Sequence, residues 1–402
     1  MKVLFTFGGI PHYLDALLNL MQQQGTEVVV VTPQKGNAII GKGVKMVEGG
    51  SYRCLHTPEK KMFYRKAGYP ELPAILEQEK PDIVVMGWPY MLQLAFSPTL
   101  RRTLRRLHIR LVIREIPFQT PPMGQIRRYF EQHPMYDEQM NLKSKGAMFW
   151  LRQWGTAQVR RYCYSLAHAT LNYATVAYDI LPSYGVKRDD IHVTFNATNT
   201  DALLRERAKV EAAEALLPPN PHRILHIGRL VRWKRVDLLI DALPAVLKEY
   251  PDAELVVVGN GPETEALKQQ AERNHLEAHV RFVGAVYQPE VLGAYMHESA
   301  VYVLAGMGGL SINDAMTYGM PVICSVCDGT EKDLVCEGEN GYYFREGDAA
   351  SLAQKIGMLF ASPERTAAMG RESERIIREK VNLRSVCSNY LKAFESIMRK
   401  PL

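Results

Sequence analysis

Two cations and a glycine stand close together near the middle of the chain. Gly228-Arg229-Leu230 and Lys234 follow the apolar run Arg223–Ile227, which reads as a strand. A glycine at the carboxyl end of a strand lets a ligand approach the backbone. Arg229 and Lys234 then place two positive charges in one loop and the turn that follows it. A diphosphate leaving group gains negative charge as its bond to a sugar carbon breaks, and paired cations stabilise that charge. Surface solvation is the ordinary fate of Arg and Lys, so this pair alone does not make a site. A second stretch adds weight to it. Gly308-Gly309 lie between the strand-like run Ala300–Leu304 and the helical segment Ser311–Tyr318, where backbone N–H groups can meet a phosphate. Asp314, one turn into that segment, can accept hydrogen bonds from a ribose diol or simply offset the helix dipole.

Other groups that could do chemistry are weaker. Cys324 and Cys327 form a C-x-x-C, with Cys336 nearby. The pair sits in a strand-to-loop segment rather than at a first βα turn, and a fourth zinc ligand is missing, so redox and metal roles are disfavoured. Gly8-Gly9 follow the first strand, yet the loop lacks G-x-G-x-x-G and no acid ends the second strand, which argues against a dinucleotide-dependent dehydrogenase. Leu100, Leu104 and Leu107 line one side of a helix expected over 96–106, while Arg101, Arg102, Arg105 and Arg106 cover the other. Residues 125–164 interleave Tyr129, Phe130, Phe149, Trp150, Trp154, Tyr162 and Tyr164 with five arginines, among them Arg160 and Arg161. The arginine cluster leans toward an anionic membrane surface, and Phe149, Trp150 and Trp154 toward core filling.

The elements that must position these residues alternate strand and helix over most of the chain, which argues for parallel sheets. A length of 402 residues predicts two domains. The charged helical segment Ala208–Leu217 and the linker Pro218-Pro219-Asn220-Pro221 mark the boundary region. We assign residues 1–205 to a first domain, with the last helix (381–402) packing back on it, and 206–380 to a second. The loop Ile116–Gly124, with Pro117, Pro121 and Pro122, is too proline-rich for regular structure. No window of about 18 apolar residues is present, so no membrane span is expected. Gly8, Gly9 and Pro11 interrupt the first residues where a signal peptide would be apolar. The six Cys show no framework, which suits a reducing cytoplasm. Charge is uneven: residues 1–205 carry 26 Lys+Arg and 16 Asp+Glu, the remainder 23 and 27. The basic half favours anionic partners. No zinc-finger or RNP-type motif points to nucleic acid.

Five blocks in order, GRL with Lys234, VVVGNGPE, RFVGAV, DAMTYGMPVI and GENGYYF, resemble the retaining GT-B glycosyltransferases of family 4. The resemblance covers the second domain. In the first it rests on FGG at 7–9, PDIVVM at 81–86, and the loop Asn196–Asp201. It implies an α/β chain with two Rossmann-like, doubly wound domains facing a central cleft. Arg229 and Lys234 would bind the donor's diphosphate, and Asp314 would stand for the second Glu of the family's EX7E motif, on the ribose. Gly284 and Val286 would lie beside the base with Gly259 and Asn260 nearby, and Gly8, Gly9, Gly228, Gly308, Gly309 and Leu310 would complete the donor site. Two departures stand out. The first Glu of EX7E falls on Gly306, so a donor-sugar contact of the family is lost. The family's first-domain His aligns with Glu115, a carboxylate that would either hydrogen-bond sugar or acceptor, or pair with Arg114 or another Arg.

The resemblance implies a retaining hexosyltransferase using a UDP- or GDP-linked sugar, without metal or other cofactor. The acceptor would be a glycan or a polyisoprenyl-linked intermediate in polysaccharide assembly. The enzyme would be cytoplasmic and peripheral on the inner face of the plasma membrane, in contact with anionic lipid. Two other readings stay open. The loss at Gly306 suits a non-catalytic GT-B subunit that only binds nucleotide sugar, and a sugar-nucleotide epimerase would need no acceptor.

Overall fold

A computed structural model describes residues 1–34, 50–116, 120–132, 134–135, 142–326 and 329–401. Pro117 of the proline-rich loop and Cys327 of the C-x-x-C lie outside these residues. The chain divides into two compact units. The first is Met1–Asn196 with Leu383–Leu402, and the second is Ala197–Asn382.

In the first unit the strands are β1 (Lys2–Thr6), β2 (Glu27–Pro33), β3 (Arg53–Thr57), the short pair β4 (Lys60–Lys61) and β5 (Ala67–Gly68), β6 (Ile83–Gly87), β7 (Arg110–Glu115), β8 (Ala169–Asn172) and β9 (Ile191–Val193). All but β4 and β5 join one sheet of order β3-β2-β1-β6-β7-β8-β9, and every pairing in it is parallel. Runs such as VVVV in β2 and IVVM in β6 are buried on both faces, as a parallel sheet covered by helices requires. The last helix, Leu383–Arg399, belongs to this unit. Phe394 on it is fully buried and meets Phe5 edge-on, while Arg110 donates through Nε to the Ile397 carbonyl at 3.0 Å.

Strands β10 (Arg223–Ile227), β11 (Glu254–Val258), β12 (Val280–Gly284), β13 (Val301–Leu304), β14 (Val322–Cys324) and β15 (Gly341–Tyr343) build the second sheet. Its order is β12-β11-β10-β13-β14-β15. All its pairings are parallel, and the order in which strands are added switches sides between β10 and β13. The carboxyl ends of these two strands form the crevice where doubly wound sheets bind ligands. Gly228 follows one of these strands and Gly306–Gly309 the other.

The boundary falls at Ala197, earlier than the proline linker and earlier than residue 206. Hydrogen bonds explain why the linker is not a hinge. Arg223, fully buried at the start of β10, donates to the Pro218 carbonyl at 2.6 Å, to the Glu298 carbonyl at 2.7 Å and to the Glu254 carboxylate at 2.9 Å. The Glu298 carboxylate accepts from the Leu216 and Leu217 amides at 2.7 Å each. The linker is thereby tied to the second sheet. The charged helix upstream spans Thr200–Glu211 rather than 208–217, capped by the Asn199 side chain on the Ala202 amide at 3.1 Å. It too belongs to the second unit, where Arg207 bonds the Thr317 carbonyl and pairs with Glu374. The arginine helix likewise starts later than expected. Pro98–Arg106 is helical, and Ser97 caps it by accepting from Leu100 N, so Phe96 ends a separate short helix.

Candidate donor site

Three loops stack backbone to backbone at the carboxyl ends of β10, β11 and β12. The Gly228 amide donates to the Val258 carbonyl at 3.0 Å, Leu230 N to Asn260 O at 3.0 Å, and Gly259 N to Gly284 O at 2.8 Å. A Cβ on Gly259, whose φ is +146°, would stand 1.8 Å from the Gly228 carbonyl oxygen. Gly259 and Asn260 therefore build, through their backbone, the floor that shapes the Gly228–Leu230 loop. Gly284 sits at φ +82° at the end of β12, and Val286 is half-buried just beyond it.

Arg229 is exposed at the edge of this floor, and among the described residues no ion-pair partner holds its guanidinium. Lys234 ends the short 3-10 turn Arg232–Lys234 and reaches the second loop of the crevice. Its ammonium donates to the Met307 carbonyl at 2.8 Å and to the Gly308 carbonyl. A Cβ on Gly309 would lie 3.2 Å from that ammonium nitrogen. The structure thus joins Lys234 to Met307, Gly308 and Gly309 across the crevice, with Gly228 and Arg229 in the loop before Lys234 and Asp314 one turn into the helix after Leu310. Gly8, Gly9 and Glu115 lie in the first unit, Gly8 and Gly9 after β1 and Glu115 at the end of β7.

Gly306, the position without its expected Glu, has a reason in the fold. The Met307 amide donates to the Trp233 carbonyl at 2.8 Å, which draws the two loops into contact. A Cβ at 306 would stand 2.1 Å from the Trp233 oxygen and 2.7 Å from the Lys234 carbonyl carbon. Any side chain there displaces the Lys234 backbone. Gly306→Ala is expected to cost about 3 kcal/mol, because backbone rather than a flexible side chain must move, and to lower the melting temperature by on the order of 10 °C. A thermal melt measures it, and an unchanged melt would show that the two loops are not in contact.

Asp314 lies in the helix Ser311–Thr317, and its carboxylate accepts from the Thr198 hydroxyl at 2.8 Å. Burial pushes its pKa up from 3.8 to about 6, and the Thr198 bond opposes the rise. The protonated carboxyl is then the form that folding favours. Its contribution to stability is present below the ordinary value of 3.8 and is lost as pH rises through about 6. Acceptance of two ribose hydroxyls needs the ionised form and runs the other way. Affinity for a nucleotide at this site is expected to fall about fivefold between pH 6 and pH 5, and Thr198→Val to shift that fall to higher pH. Nucleotide titrations across pH 5–8 check both shifts.

Behind the crevice, Tyr302 is fully buried and donates to Ser311 Oγ at 2.7 Å, fixing the first residue of the helix. His226 is buried in β10, with Nδ1 bonded to the Val303 carbonyl at 3.1 Å, and burial lowers its pKa to about 4. A neutral imidazole so placed adds no charge beside Lys234.

Glu115 is not presented to a ligand. It is 4% exposed, and Oε1 lies 3.7 Å from Arg160 Nε on the helix Ala147–Leu166. Burial raises its pKa, and the Arg160 charge opposes the rise. Arg114 points to the other face of the sheet, donating to Tyr390 Oη at 2.9 Å and to Tyr173 Oη. The structure therefore pairs Glu115 with Arg160 rather than with Arg114. Arg160 in turn stacks on the Trp88 ring at 4.4 Å. Phe149 and Trp150 pack with Phe130. Trp154 does not join them: it is 57% exposed, contrary to the core role expected of it.

Comparison with known proteins decides the family. The model for glycosyl transferases group 1 matches residues 209–376, and that for glycosyltransferase family 4 matches residues 7–202. The chain belongs to the group 1 glycosyltransferases. Within this family it is 31% identical to the phosphatidyl-myo-inositol mannosyltransferase of Mycobacterium leprae, over 43% of this chain and 46% of the relative. The chain matches about half the length of such curated relatives. Solved structures align over nearly its whole length. The Anabaena protein HepE in complex with UDP superposes with a TM-score of 0.67 at 15% identity, covering 98% of this chain and 100% of HepE. Sucrose-phosphate synthase from Thermosynechococcus elongatus gives 0.70 at 17%, covering 99% of each. At such identities the likeness speaks for the fold alone, which is GT-B. No helix among the described residues is long and apolar enough to cross a membrane.

Proposed function

We propose that this group 1 glycosyltransferase moves a hexose from a nucleotide diphosphate sugar to a glycan or lipid-linked acceptor with retention of anomeric configuration. The observation that carries the reading is Lys234, which spans the crevice between the loops after β10 and β13 with Arg229 unpaired beside it. Two cations on one ligand stabilise the departing diphosphate, and they do so without a metal ion. Asp314 binds the ribose, its ionisation supported by Thr198. The Gly228 loop is held in shape by the glycine floor below it. HepE was solved with UDP, and the mycobacterial relative is named for a mannosyl transfer to a phosphatidylinositol. These support a UDP- or GDP-linked donor and an acceptor that is a glycan or a lipid-linked glycan. The exposed Arg102 and Arg105, near the exposed Tyr162, support peripheral contact with an anionic membrane at the inner face.

Stereochemistry tests the mechanism. With a donor of α configuration, the product's anomeric carbon should show the larger one-bond C–H coupling of an α-glycoside in NMR spectra of early time points. A β product would overturn retention.

A further inference from the structure

A cavity of about 190 Å³ opens in the first unit, under the last turn of the helix Pro98–Arg106. It lies at the amino ends of β7 and β8, the opposite end of the sheet from Glu115. Leu104, Ile109, Leu111 and Leu166 supply aliphatic wall, and the helix ends fix them there. Leu104 and Ile109 are joined by a bond from Ile109 N to Leu104 O at 3.0 Å, with His108 between them in the left-handed region at φ +54°. The polar groups that reach the cavity are Arg101, Arg105, His108 and His168, and no carboxylate among the described residues lines it.

These groups are donors. Arg101 is braced, giving one nitrogen to the Leu94 and Ala95 carbonyls at 2.6 and 3.1 Å and stacking over Tyr162 at 5.9 Å. Arg105 is exposed and has no ion-pair partner among the described residues. His168 Nδ1 accepts from the Leu111 amide at 3.0 Å, which puts the ring proton on Nε2 and leaves that nitrogen a donor. An apolar interior under a mouth of cations and donors selects a ligand with both characters. Positive charge rejects a cationic head, and the aliphatic wall gives nothing to a sugar. For scale, an apolar cavity of roughly 150 Å³ takes up a benzene molecule, so this one accommodates a tail of about eight carbon atoms.

We propose that this cavity of the first unit is a binding site for a small anionic amphiphile, a medium-length apolar tail headed by a phosphate or carboxylate. The head meets Arg105 and His168 at the mouth, and the tail lies against Leu104, Leu111 and Leu166. The site is independent of the reading given for the second unit and stands or falls without it.

Calorimetric titration of the full chain with octyl phosphate tests it, with octanol and octyltrimethylammonium as comparison probes. Saturable one-to-one binding of octyl phosphate is expected, at least tenfold tighter than octanol, with no saturable binding of the ammonium. Arg105→Glu, at an exposed position, should weaken octyl phosphate at least tenfold with an unchanged melt. Leu166→Trp fills the cavity and should abolish binding. Absence of saturable binding, equal affinity for the ammonium probe, or full affinity in Arg105→Glu would each overturn the proposal. Should Leu166→Trp fail to fold, the Arg105→Glu and probe comparisons still decide it.

Discussion

Replacing Arg229 and Lys234 together by alanine is expected to lower kcat/KM for sugar transfer by about four orders of magnitude. In the proposed reading each donates to charge that grows as the diphosphate leaves, and loss of one such donor typically costs about 10²- to 10³-fold. The two residues differ in kind, so their single mutants separate. Arg229 is exposed and bonds no partner among the described residues. Its loss should leave the melting temperature unchanged and fall on the chemical step alone. Lys234 also clips the Met307 and Gly308 carbonyls. Its loss frees that loop and should lower the melting temperature by a few degrees as well as the rate. Because both act on one leaving group, the double mutant should fall short of the product of the singles. Steady-state kinetics with donor and acceptor measure this. A double mutant within tenfold of the wild type would remove the diphosphate from this crevice.

Asp314→Ala should weaken the nucleotide donor about a hundredfold, because hydrogen bonds from two hydroxyls to a carboxylate are each worth about 1.5–3 kcal/mol and part of that is recovered by water. The apo protein should tolerate the change well. A partly buried carboxyl whose pKa is raised to about 6 is no large source of stability near neutrality, and its removal leaves only the Thr198 hydroxyl without its acceptor. A large loss of affinity with a small change in melt separates ribose binding from a structural role. The reverse pattern would make Asp314 a packing residue. Asp314→Asn keeps one acceptor and should fall between wild type and alanine.

Much of this was legible in the residues themselves. Apolar runs cut by glycine gave the alternation of strand and helix, and the strand-end position of Gly228 and Gly308 followed from it. Asp314 was readable because its helix follows a glycine pair. What the chain hid is interaction over distance. Thr198 lies 116 positions before the carboxylate it supports, and only its place in the Asn196–Asp201 loop hinted at a role. Arg160, 45 residues after Glu115, turned a candidate catalytic carboxylate into half of a buried pair. A proline-rich segment reads as a hinge, but three hydrogen bonds from Arg223 and two to the Glu298 carboxylate fold it into the second unit. Trp154 was expected inside because aromatics usually are; its turn of the helix faces solvent instead. At Gly306 the sequence showed a missing carboxylate, and the structure supplies the cause in the carbonyl of Trp233.

The most direct test of the account is a thermal-shift and hydrolysis panel of UDP-, GDP-, ADP- and dTDP-sugars on the wild type and on Asp314→Ala, with and without EDTA. The account predicts stabilisation by a UDP- or GDP-linked sugar, lost in the mutant, indifferent to EDTA and accompanied by slow release of free sugar. Stabilisation that vanishes with EDTA would contradict the two-cation reading. No stabilisation by any of the four would contradict a donor site at the carboxyl ends of β10 and β13.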